Sequence, residues 1–577
     1  YMADQNLYIR ERIFDMWIGD WNKTNENWEW QSHTVNDSVI YTPIVIDRNH
    51  AFTKVDGVLF KQMLKMLSLD FICNYDSLIL KDTKKINKLA FALDMAVAGR
   101  SDESVWIRQA QEIRKQMTDS LIDSAFTYLP EGVKHDEIEL IKRKLKRRRL
   151  ELEAVASQYY RLLQRTPVVA GTNQSDYFLI ERQAPDRTIL RIYDPETGDC
   201  RLEQQFSGRE TKELWLYGLA GNDTFEVKGN TRKDFPIYLI SGEGENQYQL
   251  NHNRKIHVYD KDYKYDYQKI KYHKISFTPW GIYDSDKGIS LGTFFTYTMY
   301  GFKRAPFTYQ HRIGYNYLKG FMYAGVFPNY DGRRRLYLNA SISSPRNFEN
   351  FFGFGNNTAG YKEEKKNYNR VKLRTYMLNP SFEMDLRKEE VVTFFGSLDM
   401  YKAKRTDDRY IYTVYGEDHP IFRTNYFVGL GATYRITKQP YSWLPLLETE
   451  WTAGWKMNLK KPERNFPYAQ GSLSWNVRFS DRFTWASLMK GTVLFDNDYE
   501  FYQAATIDLR GFRDNRFIGK QSFYQYSDLR LDMGKLKNPF TPLKYGLFAG
   551  FDYGRVWFPG ERSHSWHTSY GGGIWLT

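Results

Sequence analysis

The chain has 577 residues, enough for about two to four domains, and it carries a formal net charge of +13. Its mean hydropathy is −0.63, and no run of about 18 uncharged apolar residues could cross a bilayer as a helix. Two cysteines, Cys73 and Cys200, are too few for a disulfide framework, and no cysteine or histidine spacing predicts a zinc site.

The positive charge does not predict a nucleic-acid partner. The only dense basic run, residues 142–149, lies within a predicted helix and has no aromatic stacking platform beside it. We expect this run to form a solvated surface or to face lipid headgroups. Aromatic residues make up 17% of the chain. Either the aromatic girdles of a transmembrane barrel or a soluble aromatic-rich sandwich would explain that excess.

The chain opens on a predicted helix. No signal peptide precedes it, so we expect residue 1 to lie within a longer polypeptide. Apolar residues recur at helical spacing over residues 6–18, and Gly19-Asp20 ends the helix. A polar loop, residues 19–28, and a strand-like run, residues 41–46, then lead into Asp47.

This arrangement resembles the catalytic and metal-binding loops of atypical kinases of the HipA, spore-coat and secretory-pathway type. In that family, Gly-Asp-x-Asp-Arg-His-x-x-Asn precedes a strand and an Asp-x-Asp. The resemblance implies four site positions here, which are Asp20, Asn22, Asn27 and Asp47. Phosphoryl transfer needs a carboxylate near the acceptor hydroxyl and oxygen ligands for magnesium, and Asn27 and Asp47 could serve the metal.

The match departs from the family where chemistry needs it. Asn22 stands in place of the catalytic aspartate and Thr24 in place of the histidine, and an amide does not act as a general base. We therefore interpret the loop as a degenerate, pseudokinase-like scaffold that needs no cofactor. The alternative is a helix-loop-strand unit unrelated to kinases.

The pattern stays helical from residue 60 to about 165. Ser101 is the expected N-cap of a helix that runs to about residue 126. Residues 133–163 are expected to form one long helix, and Pro167 closes the region. We predict a mainly helical domain over residues 1–167.

Residues 168–276 change to period-two patterning with polar turns, which predicts a small β module. Residues 218–225 approximate the Gly-Gly-x-Gly-x-Asp-x-hydrophobic unit of calcium-binding β-rolls, and residues 241–246 are a second, imperfect copy. Calcium needs six or more oxygen ligands. Asp223 is thus a weak calcium candidate, and we expect it to form a turn rather than to bind metal. The module does not follow the β-α-α-β pattern of POTRA repeats.

Alternating strand-like runs fill the rest of the chain. We count about fourteen, from residues 288–299 to residues 569–577, and include residues 499–507 among them. Bacterial single-chain barrels have even strand numbers from eight upward. We predict an antiparallel transmembrane β-barrel over residues 277–577.

One loop within these strands carries a distinctive motif, Leu509-Arg510-Gly511-Phe512. Glycine permits the tight backbone turn of a loop tip. In the later strand, residues 545–556, the odd positions from 545 to 553 are apolar or aromatic, whereas the even face over 546–554 holds glycines, Phe548 and Asp552. A long arginine reaching from the loop would find space and a charge partner there. We therefore predict an Arg510–Asp552 ion pair.

These motifs resemble the sixth extracellular loop and the following strands of the BamA superfamily of outer-membrane barrels. That superfamily includes two-partner secretion transporters and chloroplast import channels. In it, the loop folds back into the lumen and its arginine contacts an acidic residue of the thirteenth strand. The twelfth strand often offers a second acid. Here Arg530 occupies the nearest match, which leaves Asp528 as the candidate second acidic partner. The family has sixteen strands, so the last two would lie beyond Thr577.

The resemblance implies a protein of the bacterial surface antigen and assembly type, in the outer membrane of a Gram-negative cell, with its N-terminal part in the periplasm. Its implied function is insertion or translocation of other polypeptides, without catalysis in this chain. The implied partners are outer-membrane lipids, client outer-membrane or secreted polypeptides, and lipoprotein subunits. One alternative is a surface or periplasmic enzyme, or a pseudokinase scaffold, anchored by the barrel. Another is a soluble multidomain β protein.

Overall fold

The computed structural model describes residues 2–35, 38–55, 60–62, 64, 69–129, 135–183, 185–229, 234–250, 255–260, 263, 265–284, 286–329, 332–358, 367–406, 408–438, 446–536 and 543–576. The chain divides into two compact units, residues 1–56 with 60–272 and residues 57–59 with 273–577. In the ranges just given, no helix is long and apolar enough to cross a membrane.

The first unit begins with a helix packed beside a small sheet. Helix α1 (Gln5–Ile18) starts where the Asp4 carboxylate accepts the Leu7 amide hydrogen at 3.0 Å, and it ends at Gly19, whose φ is +80°. The strands of the sheet are β1 (Met2–Ala3), β2 (Trp28–Val35) and β3 (Ser38–Val45). Strand β3 pairs with β1 in parallel and with β2 in antiparallel orientation.

Further helices complete the helical part of this unit. They are α2 (Thr83–Ile86), α3 (Phe91–Ala98), α4 (Glu103–Gln116), α5 (Asp119–Ala125), α6 (His135–Arg149) and α7 (Leu152–Leu163). Asp94 of α3 accepts hydrogen bonds from Arg12, Tyr8 and Tyr159 at 2.8, 2.7 and 2.5 Å. These buried polar contacts join α1, α3 and α7.

Three sequence predictions for the helical part differ from the structure. The long helix expected over residues 133–163 is two helices, because the chain breaks after α6, where the Glu151 carboxylate accepts the Ile79 amide hydrogen at 2.9 Å. The helix expected to run from Ser101 to about residue 126 is also two helices, α4 and α5, and the N-cap of α4 is Asp102. The basic run is not wholly a surface feature, since Arg148 is buried and donates to the Trp17 carbonyl at 2.7 Å. It thereby binds one of the free carbonyls at the end of α1.

The β module has two sheets, one of wholly parallel strands and one that combines parallel with antiparallel pairs. One sheet has the order β12-β10-β8-β4 and the other the order β11-β9-β5-β6-β7. Phe178, Leu190, Leu216 and Phe225 lie in the fully buried core of the module. The strands are β4 (Val168–Ala170), β5 (Tyr177–Gln183), β6 (Arg187–Tyr193), β7 (Cys200–Ser207), β8 (Leu214–Tyr217), β9 (Thr224–Gly229), β10 (Ile237–Ile240), β11 (Gln247–Leu250) and β12 (Ile256–Tyr259).

The second unit is one antiparallel sheet in which successive long strands are neighbours. Its strands are β13 (Lys274–Asp284), β14 (Gly288–Met299), β15 (Tyr309–Asn316), β16 (Gly320–Pro328), β17 (Arg334–Ser343), β19 (Arg370–Arg387), β20 (Glu390–Ala403), β21 (Asn425–Lys438), β22 (Leu446–Asn458), β23 (Asn465–Arg478), β24 (Phe483–Leu494), β27 (Gln521–Leu536), β28 (Leu543–Trp557) and β29 (His567–Leu576). A short strand, β18 (Phe348–Asn350), pairs with β19, and helix α8 (Tyr410–Tyr415) follows β20. The predicted fold class, with a helical N-terminal region, a small β region and a C-terminal antiparallel barrel, is confirmed.

Two strand predictions differ from the structure. The first strand of the sheet is β13, which sequence analysis did not assign, rather than residues 288–299. β13 contains Pro279, which is tolerated because an edge strand can lack one ladder donor. Residues 499–507 do not form a strand of this sheet. Part of that run, β25 (Ala505–Ile507), pairs instead with β26 (Phe517–Gly519) of the same connection.

Candidate functional site

The candidate site is the loop hairpin, defined as β25, β26 and the residues 508–516 between them. The side of this hairpin that faces β27 and β28 is apolar. Ile507, Leu509 and Phe517 are buried there with Tyr524 of β27 and Val556 of β28. The hairpin thus packs on the wall formed by these two strands. Apolar packing holds both legs of the hairpin in place, which limits where the tip between them can reach.

Each residue of the Leu509-Arg510-Gly511-Phe512 motif has a separate place. Leu509 is 2% exposed. Gly511 has φ of +84°, in the left-handed region that favours glycine. The Phe512 ring meets the Phe517 ring at 5.4 Å between centroids. Packing of Leu509 before Arg510 and of Phe512 after it therefore holds the turn in place.

Arg510 reaches the wall at Asp552 of β28. Its Nε donates to Asp552 Oδ2 at 2.6 Å, and its Nη2 donates to Asp552 Oδ1. Nη1 donates to Asp528 Oδ1 of β27 at 2.7 Å. Bidentate binding of a carboxylate by a guanidinium is strong and directional. The structure therefore brings together Arg510, Asp552 and Asp528.

The surroundings favour this contact. The Asp552 side chain is 1% exposed, so its charge has little water to stabilise it and depends on Arg510. Ser569 of β29 also donates to Asp552, at 3.3 Å. The rings of Tyr526 and Phe548 lie 5.6 and 5.9 Å from the Arg510 guanidinium carbon, within cation–π range. Arg530, the residue at the position of the missing acid, donates to Asp528 at 3.0 Å.

Sequence reasoning missed residues that act at this site through space. Gly550 lies directly against the Arg510 guanidinium, and Arg513 contacts Asp286, which is 227 positions away in the chain. A signal for Gly550 was available, since it lies on the bare face of β28. No local pattern connects Arg513 with Asp286.

The kinase-like positions lie together in the first unit around a residue that sequence analysis did not single out, Lys23. Its ammonium donates to the Asp20 carboxylate at 2.5 Å and to the Asp47 carbonyl, and its side chain is 1% exposed. The Asn22 amide hydrogen is bound by Asp20 at 3.3 Å, and Asn27 Nδ2 lies 3.4 Å from Asp47 Oδ2.

These residues do not fit a magnesium ion. Asn27 Oδ1, the oxygen that would bind a metal, accepts two hydrogen bonds from Thr24, at 2.8 and 3.0 Å. The ammonium of Lys23 already neutralises the buried Asp20 carboxylate. A divalent cation would have to displace a lysine held by the fold. The Lys23 ammonium is therefore the cation that balances the Asp20 carboxylate in this loop.

Asp223 does not fit a calcium ion either. Its Oδ1 accepts the Asp176 amide hydrogen at 2.9 Å, and its Oδ2 is buried without a hydrogen-bond partner in the structure. Burial raises the pKa of Asp223 to about 7, which favours a neutral carboxyl. Among the residues that the structure describes, no three or more acidic, histidine or cysteine side chains cluster so that they could hold a metal.

No protein-family model and no curated protein matches the chain. Among solved structures, it resembles BamA from Haemophilus ducreyi lacking POTRA domains 1–3, at 12% identity and a TM-score of 0.39, covering 53% of this chain and 64% of that one. It also resembles CdiB from Escherichia coli, at 11% identity and a TM-score of 0.34, covering 52% and 55%. For CdiB from Acinetobacter baumannii the values are 11% and 0.30, covering 53% and 59%.

The chain thus spans less than two thirds of the length of each of these three structures.

Proposed function

We propose that the chain forms an outer-membrane barrel of the BamA and two-partner secretion type, which inserts or translocates other polypeptides. The observation that carries the proposal is the bidentate ion pair between Arg510 and Asp552. A loop hairpin that folds onto the inner wall and holds it by a bidentate ion pair is the feature that the resemblance implies. We propose no catalysis in this chain.

The distribution of side chains supports a position in a bilayer. On the face of the sheet opposite the loop hairpin, large apolar side chains are exposed in nearly every strand. They include Ile275, Leu291, Ile313, Leu336, Phe394, Leu430, Trp451, Leu529, Leu547 and Ile574. The inward positions carry polar groups such as Ser290, Asn316, Asp399, Lys456 and Asp552. Apolar-out and polar-in alternation is typical of membrane barrels.

The connections between strands support an orientation. The long ones, residues 344–369, 404–424 and 495–520, all lie at one end of the sheet. The opposite end has short connections, such as residues 388–389 and 479–482, and β13 begins there. Membrane barrels have short periplasmic turns and long outer loops. We therefore propose that the part before β13 is periplasmic.

Three parts follow from this proposal. Residues 1–167 are a helical scaffold and residues 168–276 a β module, both outside the membrane, and residues 277–577 are the barrel. The proposed partners are outer-membrane lipids, client outer-membrane or secreted polypeptides, and lipoprotein subunits. A kinase-like activity has no favourable observation, because the Lys23 ammonium already binds the Asp20 carboxylate and the Asp47 carbonyl.

Arg510→Ala tests the proposal in liposomes. The probe is a urea-unfolded eight-stranded barrel polypeptide, whose insertion is followed by protease protection and gel migration. We expect the wild-type chain to accelerate insertion and Arg510→Ala to lose most of that acceleration. We also expect trypsin to cleave the loop hairpin faster, because Asp552 then lies buried without its cation.

The expected loss of unfolding free energy is about 2 to 3 kcal/mol, below that for a fully buried pair because Arg510 is 42% exposed. Arg478→Ala is the matched control, since it removes a surface ion pair with Asp481 at the opposite end of the sheet. A wild-type chain that neither inserts nor translocates the probe would contradict the proposed function. An Arg510→Ala variant equal to the Arg478→Ala control would contradict the role of Arg510.

A further inference from the structure

The sheet ends in two edge strands, β13 and β29. Strand β13 pairs with β14, and β29 pairs with β28. Over the ranges given above, no hydrogen-bonded ladder joins β13 to β29. Strand pairing therefore holds the β13–β14 hairpin on one side only, through β14 and β15, and side-chain contacts can restrain it further.

The loop hairpin reaches this region as well as the late strands. Arg513, three residues after Arg510, donates from Nη1 to Asp286 Oδ1 at 3.0 Å. Asp286 lies in the turn between β13 and β14, and its side chain is 1% exposed. The next two residues of the loop make parallel contacts. The Asp514 carboxylate lies 3.3 Å from Lys287 Nζ, and Asn515 Nδ2 donates to Glu349 Oε2 at 3.1 Å.

The Asp286 carboxylate is the centre of this cluster. Besides Arg513, it is bound by Asn350 of β18 and lies 3.4 Å from Arg370 of β19. Asn350 also donates to the Asp514 carbonyl at 3.1 Å, so the cluster joins the first turn, the loop and β18. A buried carboxylate that loses a cation is strongly destabilised. The contact is thus directional and costly to break.

The two arginines of the loop hold different parts of the sheet. Arg510 binds Asp552 and Asp528, on β28 and β27, whereas Arg513 binds Asp286 at the first turn. Gly511, with φ of +84°, lies between them and turns the backbone. The loop hairpin therefore connects the early and late strands from inside.

We propose that Arg513 and Asp286 form a second latch, which fixes the β13–β14 hairpin to the loop hairpin. Opening of this latch frees the β13–β14 hairpin to move, so that the edge of β13, which has no ladder to β29 over the described residues, can align with an incoming strand of a client polypeptide. An unpaired strand edge is a template for such addition. The last step rests on the proposed function, whereas the latch itself does not.

Arg513→Ala in the full chain tests the latch directly. A spin label is placed at Ile289→Cys, on the outward face of β14, where the native side chain is 69% exposed, with Cys73 and Cys200 replaced by serine. We expect the label to become more mobile in Arg513→Ala and in Asp286→Asn. The double variant should be no more mobile than either single variant, because partners in one contact are not additive. Arg513→Lys, which keeps a cation, should restore most of the wild-type spectrum.

Lys456→Met is the matched control. It removes an inward ion pair with Asp399, at 2.8 Å, that joins two wall strands without the loop hairpin. Its label spectrum should equal that of the wild type. Unchanged mobility in Arg513→Ala, or equal loosening in Lys456→Met, would overturn the latch.

Insertion of the unfolded polypeptide probe is measured on the same variants. We expect Arg513→Ala to insert the probe severalfold faster than the wild type, because β13 is then released. Alternatively, the insertion rate of this variant should no longer depend on temperature. Label mobility is read without any client, so the two failures are separable. A mobile β13 together with no insertion by any variant, wild type included, would contradict the proposed function while leaving the latch in place.

Discussion

Gly550 shows how a residue without a side chain serves the candidate site. It pairs with Asp528 on β27 and with Gly571 on β29. A Cβ at position 550 would lie 2.6 Å from Arg510 Nη2 and 2.8 Å from Asp528 Oδ1. Such distances are below van der Waals contact, so any larger residue would push the guanidinium away. The position needs glycine for space, not for backbone conformation.

Gly550→Val should therefore imitate the loss of Arg510 while leaving every charged group in place. We expect the variant to lose about 2 kcal/mol of stability, as for a broken ion pair, and to show the same rapid trypsin cleavage as Arg510→Ala. Gly571→Val is the control on the facing strand, because a Cβ there meets no atom within 4 Å. Equal thermal stability of the two glycine variants would count against the role of Gly550.

At the scale of an element, the β module is held together by rungs of side chains between its turns. The Asp176 amide hydrogen is bound by Asp223 Oδ1 at 2.9 Å, and the Asp223 amide hydrogen is bound by Asn246 Oδ1 at 2.9 Å. Each residue lies at the start of a parallel strand, so the turns stack in register. These rungs provide partners for amides that the strand ladders leave free. The two imperfect repeats thus stack in register through these hydrogen bonds.

The Asp223 rung should make the module sensitive to pH. Burial raises the pKa of Asp223 to about 7 in the folded chain, against about 3.9 when unfolded. The folded state therefore binds the extra proton, and stability from this group falls as pH rises from about 4 to about 7. We expect faster hydrogen exchange at the Asp176 amide as pH rises over this range, after correction for the intrinsic rate.

Asp223→Asn keeps the accepting oxygen but does not ionise. Its corrected exchange at Asp176 should be flat over the same range. Glu243→Gln, which removes an exposed acid of the neighbouring turn, should leave the wild-type profile in place. A wild-type profile that is already flat, or an unchanged slope in Asp223→Asn, would refute the assignment.

At the scale of the whole molecule, the apolar residues on the outward face of the second unit require a nonaqueous surrounding. The side chains of Phe277, Trp451 and Ile574, for example, are 61%, 60% and 69% exposed. Apolar surface of this extent marks a surface that contacts another apolar phase. In water it would drive aggregation.

We expect the full chain to require detergent for extraction and to migrate faster on gels when unheated than when boiled, because the folded barrel resists detergent. Circular dichroism before and after heating should show loss of strand signal with the change in migration. A chain that stays monodisperse in buffer without detergent would contradict a membrane barrel.

How far the sequence predicts the site depends on distance along the chain. The bare face of β28 and the cation at the loop tip were visible because alternation within one strand assigns each side chain to a face. Arg513 and Asp286 were not, since their contact joins residues 227 positions apart. The contact of Lys23 with the Asp47 carbonyl was missed because the β2–β3 hairpin separates the two residues in the chain.

The same division holds for the fold. By itself the sequence determined the helical, β-module and barrel regions, the first helix with its glycine end, and the alternation of the barrel strands. All of these depend on residues close together in the chain. Only the tertiary structure decided the break between α6 and α7, the pairing of β25 with β26, and β13 as the first strand. Each depends on a partner supplied from elsewhere, whether the Ile79 amide, the returning leg of the loop, or the edge of β14.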